Sequence, residues 1–129
     1  MGRRAARAGG PELTSSAPNP HWAERLARAY LEGRGLVTLE ANVPSRGGEL
    51  DLVMRDGQAI VFVEVRQRGH AGFGGAAESL DARKRAKVRR AAERWLARHG
   101  RHEDPVRFDA FLVDGDEAAP DVRHVPDAF

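Results

Sequence analysis

Residues 47–68 read GGELDLVMRDGQAIVFVEVRQR, and this stretch decides the fold. Two apolar runs flank the pair Asp56-Gly57, which is a strong local signal for a tight turn between antiparallel strands. The stretch therefore predicts a β-hairpin whose strands span Glu49–Arg55 and Gln58–Gln67.

Three carboxylates, those of Glu49, Asp51 and Glu64, interrupt the apolar runs. Burying a charge is costly unless a partner offsets it, and carboxylates cannot pair with one another. Since Ile60–Val65 is apolar except for Glu64, both faces of this strand are expected to be covered. The acids therefore predict a cation site. The alternative is a hairpin at a sheet edge with its acids in water.

The register predicts which of these side chains meet. If Asp56-Gly57 forms the loop, Asp51 faces Phe62 and Glu49 faces Glu64, so all four share a face. Asp51 and Glu64 are then diagonal neighbours, roughly 7–8 Å apart, and can share a divalent cation with oxygen ligands. A loop one residue longer would flip one strand and separate them.

Composition narrows the function classes. The 129-residue chain is long enough for one domain with a core. It has no cysteine, which excludes disulfides, thiol catalysis and thiolate zinc sites. No apolar run approaches the roughly 20 residues needed to span a bilayer, and the basic N-terminus lacks the apolar segment of a secretory signal. We expect a cytoplasmic protein with no membrane partner.

The basic segment 1–18 is predicted to be a disordered tail, and 19–129 to be a single domain. Asn19-Pro20 resembles a helix start, with the helix running from Pro20 to Glu32. Its predicted apolar stripe consists of Trp22, Leu26, Ala29 and Tyr30, widened by Ala23 and Ala27. Glu24 borders this stripe, where it either is solvated or leans over the hairpin.

The remaining pattern predicts an α/β fold, a mixed sheet flanked by helices in the order α-β-β-β-α-β-β. The further elements are a strand over 36–43, a turn over 44–48, a glycine-rich loop over 69–75, a helix capped by Asp81 and ending at His99, and strands over 105–113 and 122–125. We expect Asp109, between aromatic residues, to anchor a nearby arginine. The five histidines are expected on the surface.

Cations outnumber anions on the helix ending at His99. The cations are Arg83, Lys84, Arg85, Lys87, Arg89, Arg90, Arg94 and Arg98. Such a face suits contacts to nucleic-acid phosphates, which need charge but no base-reading groups. Lys84 lies near the helix N-terminus, where the helix dipole disfavours a cation, so a functional role is favoured there. A solvated helix face is the alternative.

Several spaced blocks, in order, are similar to a known family. The blocks are AERLARAYLEGRGL, GGELDLVMRDGQAIVFVEVRQR, a glycine-rich loop, a Lys-Arg helix, RFDAFLV and a terminal AF. From Trp22 to Phe129 the chain resembles the YraN-like family of uncharacterised bacterial proteins. The resemblance implies a restriction-endonuclease-like fold, also seen in Holliday junction resolvases and RecB-type nucleases.

The resemblance also implies site residues, since those nucleases carry a D…(D/E)-x-K signature. Its positions fall on Asp51, Glu64 and residue 66, while Glu24 and Glu49 match further family acids. Asp51, Glu64 and the backbone carbonyl of Val65 would hold Mg²⁺ or Mn²⁺. The nucleic acid would contact Arg68, Arg83, Lys84, Arg85 and Lys87.

Residue 66 is the one departure from the signature, because it is Arg66 instead of lysine. A lysine ammonium can be tuned by burial, whereas arginine stays protonated and cannot act as a base. Arg66 can still neutralise developing phosphate charge.

We expect a metal-dependent endonuclease acting on DNA or RNA. A non-catalytic nucleic-acid-binding module and a protein-interaction domain are the alternatives. Resolvase-like folds often dimerise, so a homodimer is compatible with this expectation, but no stretch identifies an interface.

Overall fold

The structure is a computed structural model and describes residues 21–69, 75–101 and 103–129. Its elements, in chain order, are α1 (Trp22–Glu32), β1 (Val37–Ser45), β2 (Gly48–Asp56), β3 (Ala59–Arg68), α2 (Gly75–Glu78), α3 (Ala82–His99), β4 (Val106–Asp114) and β5 (Asp121–Val125). The predicted tail over 1–18 lies outside the described residues, as do the expected helix start at Asn19-Pro20 and most of the glycine-rich loop.

The strands form one five-stranded sheet in the order β1-β2-β3-β4-β5. Strands β3 and β4 are parallel, and the other neighbouring pairs are antiparallel. The predicted α/β class and element order are therefore confirmed, with the short helix α2 as an addition. Among the described residues, no helix is long and apolar enough to cross a membrane.

The hairpin between β2 and β3 forms, but its predicted register is wrong. The ladder pairs Asp56 with Ala59 and Arg55 with Ile60, so the two loop residues are Gly57 and Gln58. Gly57 has φ +61°, and a positive φ at the first loop position suits glycine. Relative to the prediction, the pairing is shifted by one residue on each strand, so every side chain still lies on its predicted face of the sheet.

The two long helices cover opposite faces of the sheet, and β3 is buried on both. Val61, Val63 and Val65 pack in a cluster with α1. Ile60 and Phe62 pack in a second cluster with α3. This alternation places the even-numbered Glu64 on the α3 side of the sheet.

The buried stripe of α1 is rotated from the predicted one. Ala23, Ala27 and Leu31 are buried, whereas Trp22, Leu26 and Tyr30 are only partly buried and the predicted Ala29 is exposed. The rotation turns Glu24, which neighbours Ala23, toward the sheet. On α3 the sequence predicts an apolar stripe of Val88, Ala91, Ala92, Trp95 and Leu96; the first four are buried and Leu96 is partly buried.

Strand β1 continues two residues beyond its predicted end and includes Pro44. A proline lacks the amide that a central strand needs, so it is tolerated here because β1 lies at the sheet edge. The expected turn is correspondingly confined to Arg46 and Gly47, and Gly47 has φ +81°.

Asp109 anchors an arginine, as predicted. Its fully buried carboxylate accepts from Arg107 through Nε at 2.8 Å and Nη2 at 3.0 Å. His124 contacts the same carboxylate at 2.8 Å, and the amide of Asp127 donates to it at 2.9 Å. The expectation that every histidine lies on the surface is therefore wrong for His124, which is held against Asp109.

Candidate functional site

The site forms where β2 and β3 separate. Their ladder ends at the pair Leu52 and Val63, one step before Asp51 would lie opposite Glu64. Beyond this point the amide of Val65 donates to Oδ2 of Asp51 at 2.9 Å. The Asp51 carboxylate thus replaces the backbone carbonyl that would otherwise accept from the Val65 amide. Where the ladder ends, polar atoms lie between two otherwise apolar strands.

Glu64 is the buried acid at the centre of the site, with 2% of its side chain exposed. Its Oε2 accepts from Nη1 of Arg66 at 3.5 Å and lies 3.4 Å from Nζ of Lys84. Its Oε1 is buried and has no hydrogen-bond partner among the described residues. Since buried polar atoms are normally paired, this oxygen is available either to share a proton with Asp51 or to bind a cation.

An open cleft of about 530 Å³ contains both acids. Every residue predicted to be catalytic lines it: Glu24, Glu49, Asp51, Glu64 and Arg66. Val65 and Lys84 also line it. Helices α1 and α3 therefore each contribute one charged side chain to a site built mainly on the hairpin.

Glu24 and Glu49 are connected by Asn42 at the rim of the cleft. The side-chain amide of Asn42 donates to Oε1 of Glu24, and to Oε2 of Glu49 at 3.2 Å. Asn42 has φ +53°, a conformation that asparagine tolerates better than most residues. Sequence reasoning missed Asn42, although a polar amide in the predicted strand 36–43 is a signal, because asparagine is depleted in strands.

Burial and charge perturb both acids. Burial, and next the charge of Glu64, raise the pKa of Asp51 to about 8, while the Val65 amide opposes the rise. Burial also raises the pKa of Glu64, against the opposing charges of Lys84 and Arg66. Two adjacent carboxylates disfavour simultaneous ionisation, so the pair retains protons that a cation would displace.

Arg66 is held by Ser79, in the turn after α2, as well as by Glu64. Its Nε donates to the hydroxyl of Ser79 at 2.7 Å, and that hydroxyl donates to the carbonyl of Ala76 at 2.6 Å. Ser79 was not predicted, because no pattern in the sequence connects the turn before α3 with β3.

The residues predicted to bind nucleic acid separate into two groups. Lys84 lines the cleft, and Lys87 lines a small adjoining cavity formed with the turn at Arg46 and Gly47. The others do not line the cleft: Arg68 ends β3, Arg83 is exposed on α3, and Arg85 donates to the carbonyl of Leu80 at 3.0 Å.

The residues present fit a divalent cation with open coordination positions. Amide and carbonyl of one strand residue point to the same side, so the carbonyl of Val65 faces the gap with the amide that binds Asp51. With Oε1 of Glu64 and the carboxylate of Asp51, this gives oxygen ligands of the kind Mg²⁺ prefers. Within the described ranges, no three His, Cys, Asp or Glu side chains form a metal site by themselves. Water and substrate oxygens would therefore complete the coordination.

A family model described as uncharacterised protein family UPF0102 matches residues 23–113. The chain belongs to this family. A UPF0102 protein of Halorhodospira halophila is 50% identical over 121 residues, covering 92% of this chain and 94% of the relative. The UPF0102 protein YraN of Escherichia fergusonii is 47% identical over 126 residues, covering 95% and 92%. These matches confirm the YraN-like resemblance, and the UPF0102 names state no activity.

Proposed function

We propose that this protein is a divalent-metal-dependent endonuclease that hydrolyses phosphodiester bonds in DNA or RNA, with Mg²⁺ or Mn²⁺ as cofactor. The observation that supports this most is the buried Asp51–Glu64 pair, which lies in an open cleft with one unpartnered carboxylate oxygen. The five-stranded mixed sheet with a helix on each face is compatible with the restriction-endonuclease-like fold that the family resemblance implies.

The cation would be held by Asp51, Glu64 and the Val65 carbonyl. When bound, it would lower the pKa of a water and stabilise phosphoryl charge. The chain's own residues would prepare the reaction. Glu24 and Glu49, fixed by Asn42, would accept hydrogen bonds from water at the rim. Arg66 or Lys84, whose charged groups both face Glu64 in the cleft, would donate to a phosphate oxygen.

The test is cleavage of branched, single-stranded and duplex substrates with Mg²⁺ or Mn²⁺. We expect metal-dependent cleavage that falls by at least about 10²-fold in Asp51→Asn and in Glu64→Gln, which keep side-chain size. Glu93→Gln, an exposed change on α3, is the control and should cleave normally. Cleavage unchanged in both site variants would contradict the proposal.

A non-catalytic nucleic-acid-binding module is the second candidate, favoured by Arg66 in the position of the signature lysine. It predicts salt-sensitive binding by the wild-type protein, without any metal-dependent cleavage. The same assay with a parallel binding measurement distinguishes the two functions.

A further inference from the structure

We propose that Lys84, and not Arg66, supplies the cation that contacts the reacting phosphate in the cleft, an inference that rests on the proposed endonuclease function. In this account the ammonium group of the nuclease signature is supplied from helix α3 instead of from strand β3. Lys84 would then be a catalytic residue and not one of several backbone-binding cations.

The ammonium group of Lys84 lies in the cleft beside the buried Glu64. Nζ of Lys84 lies 3.4 Å from Oε2 of Glu64, the same oxygen that Arg66 contacts. The Lys84 side chain is 30% exposed and lines the cleft. An ammonium has three donors, so after one faces Glu64 the others remain for a bound phosphate.

The N-terminus of α3 places Lys84 toward the site. Its backbone amide donates to Oδ1 of Asp81 at 2.9 Å, which caps the helix and fixes Lys84 in the first turn. A cation in the first turn is disfavoured by the helix dipole. The pairing with the buried carboxylate of Glu64 offsets that cost, so the lysine is specifically placed toward the site.

Arg66 is held by two contacts that restrict its movement toward a phosphate. Its Nε is bound to the hydroxyl of Ser79, and its Nη1 faces Glu64. Because the guanidinium is a planar, rigid fork, anchoring Nε fixes the orientation of the whole group. Lysine, by contrast, ends a flexible stem and can follow the phosphate as it changes geometry.

The decisive experiment removes the lysine from α3 and introduces one at position 66 of β3. We expect Lys84→Ala to lower kcat by about 10²-fold, as for loss of one preorganised donor, and Arg66→Ala to lower it less. The double variant Arg66→Lys with Lys84→Ala should recover at least tenfold over Lys84→Ala alone. Lys84→Gln, which keeps a polar stem, should match Lys84→Ala. Exposed Arg90→Ala is the control. Cleavage by Lys84→Ala within twofold of wild type, or no recovery in the double variant, would overturn the inference.

A binding measurement keeps this result separate from the endonuclease proposal. A labelled oligonucleotide is titrated with Ca²⁺ in place of Mn²⁺, and the protein is melted with and without Mn²⁺. Lys84→Ala should lose at least tenfold of the Ca²⁺-dependent affinity, yet keep the Mn²⁺-induced rise in Tm, because the acids are intact. If the wild type does not cleave, the proposed function fails. The Ca²⁺-dependent binding measurement then still decides whether Lys84 contacts phosphate. Unchanged Ca²⁺-dependent affinity in Lys84→Ala would contradict the role of Lys84.

Discussion

The backbone amide of Val65 donates to Oδ2 of Asp51 at 2.9 Å, across the point where β2 and β3 stop pairing. This bond orients a buried carboxylate toward Glu64. The bond lowers the pKa of Asp51, but burial and the Glu64 charge raise it more strongly. The fold therefore holds an acid in an environment that disfavours its charged form.

The raised pKa makes stability depend on pH. Between about pH 4 and pH 8 the folded state binds the Asp51 proton while the unfolded state has released it, so the free energy of unfolding falls as pH rises. Asp51→Asn is permanently neutral and keeps an oxygen for the Val65 amide. Without metal, we expect it to exceed wild type at pH 8 by roughly 1–3 kcal/mol and to lose the advantage toward pH 4.

Urea unfolding across that pH range measures this effect, with exposed Asp121→Asn as the control. Glu64 titrates with Asp51, so the wild-type curve reports the pair. An Asp51→Asn variant that is less stable than wild type at pH 8 would show that the buried charge is already compensated by protein groups.

Asn42 is expected to combine a side-chain role with a backbone role. Both Asn42→Gly and Asn42→Ala remove the amide that bridges Glu24 and Glu49. Only alanine also meets the steric penalty at φ +53°, so Asn42→Ala should be less stable than Asn42→Gly by about 1 kcal/mol. The difference between the free energies of unfolding of the two variants, measured by chemical denaturation, gives the steric cost of the positive φ. Equal stabilities would show that the positive φ relaxes on substitution.

Asp109 should matter for stability and not for the proposed chemistry. Its side chain is 0% exposed, whereas Asp56, the other partner of Arg107, is 45% exposed. Asp109→Ala should lower the free energy of unfolding by about 3 kcal/mol, because it removes the acceptor of a buried network. Asp56→Ala is the matched control and should cost less than about 1 kcal/mol. Similar losses in the two variants would contradict this assignment.

Lys87 should affect binding without affecting the chemical step. It lines the cavity next to the cleft, one turn along α3 from Lys84. We expect Lys87→Ala to reduce the salt dependence of nucleic-acid binding by about one unit of slope and to raise KM with kcat unchanged. Arg98→Ala, at the exposed far end of α3, should leave both unchanged. A fall in kcat in Lys87→Ala would place this lysine in the chemistry.

The sequence predicted the fold well because its strongest signals were local. The hairpin glycine, the apolar stripe of α3 and the glycines that directly follow the two long helices, Gly33 and Gly100, each act within a few residues. The convergence of Asp51 and Glu64 was also predicted, since a two-residue hairpin loop fixes which side chains share a face. The loop itself was wrong by one position, and the prediction survived only because both strands shifted together.

What could not be predicted depends on contacts between distant elements. Asn42 bridges residues of α1 and β2, and Ser79 supports Arg66 from the turn between α2 and α3. Lys84 could be recognised as a misplaced cation, but not as a partner of Glu64, because no local pattern sets how α3 packs over β3. His124 was assigned to the surface for the same reason, since its partner lies on the neighbouring strand β4.

The central claim, that Asp51 and Glu64 bind a divalent cation, is tested most directly by thermal melting with and without Mn²⁺. A ligand that binds only the folded state stabilises it and so raises Tm. At a free ligand concentration of 100 times Kd, the added free energy of unfolding is about 2.7 kcal/mol. We predict a concentration-dependent rise for wild type that is lost in Glu64→Gln and kept in the exposed control Glu93→Gln. An equal rise in Glu64→Gln, or no rise in wild type at millimolar Mn²⁺, would contradict the claim.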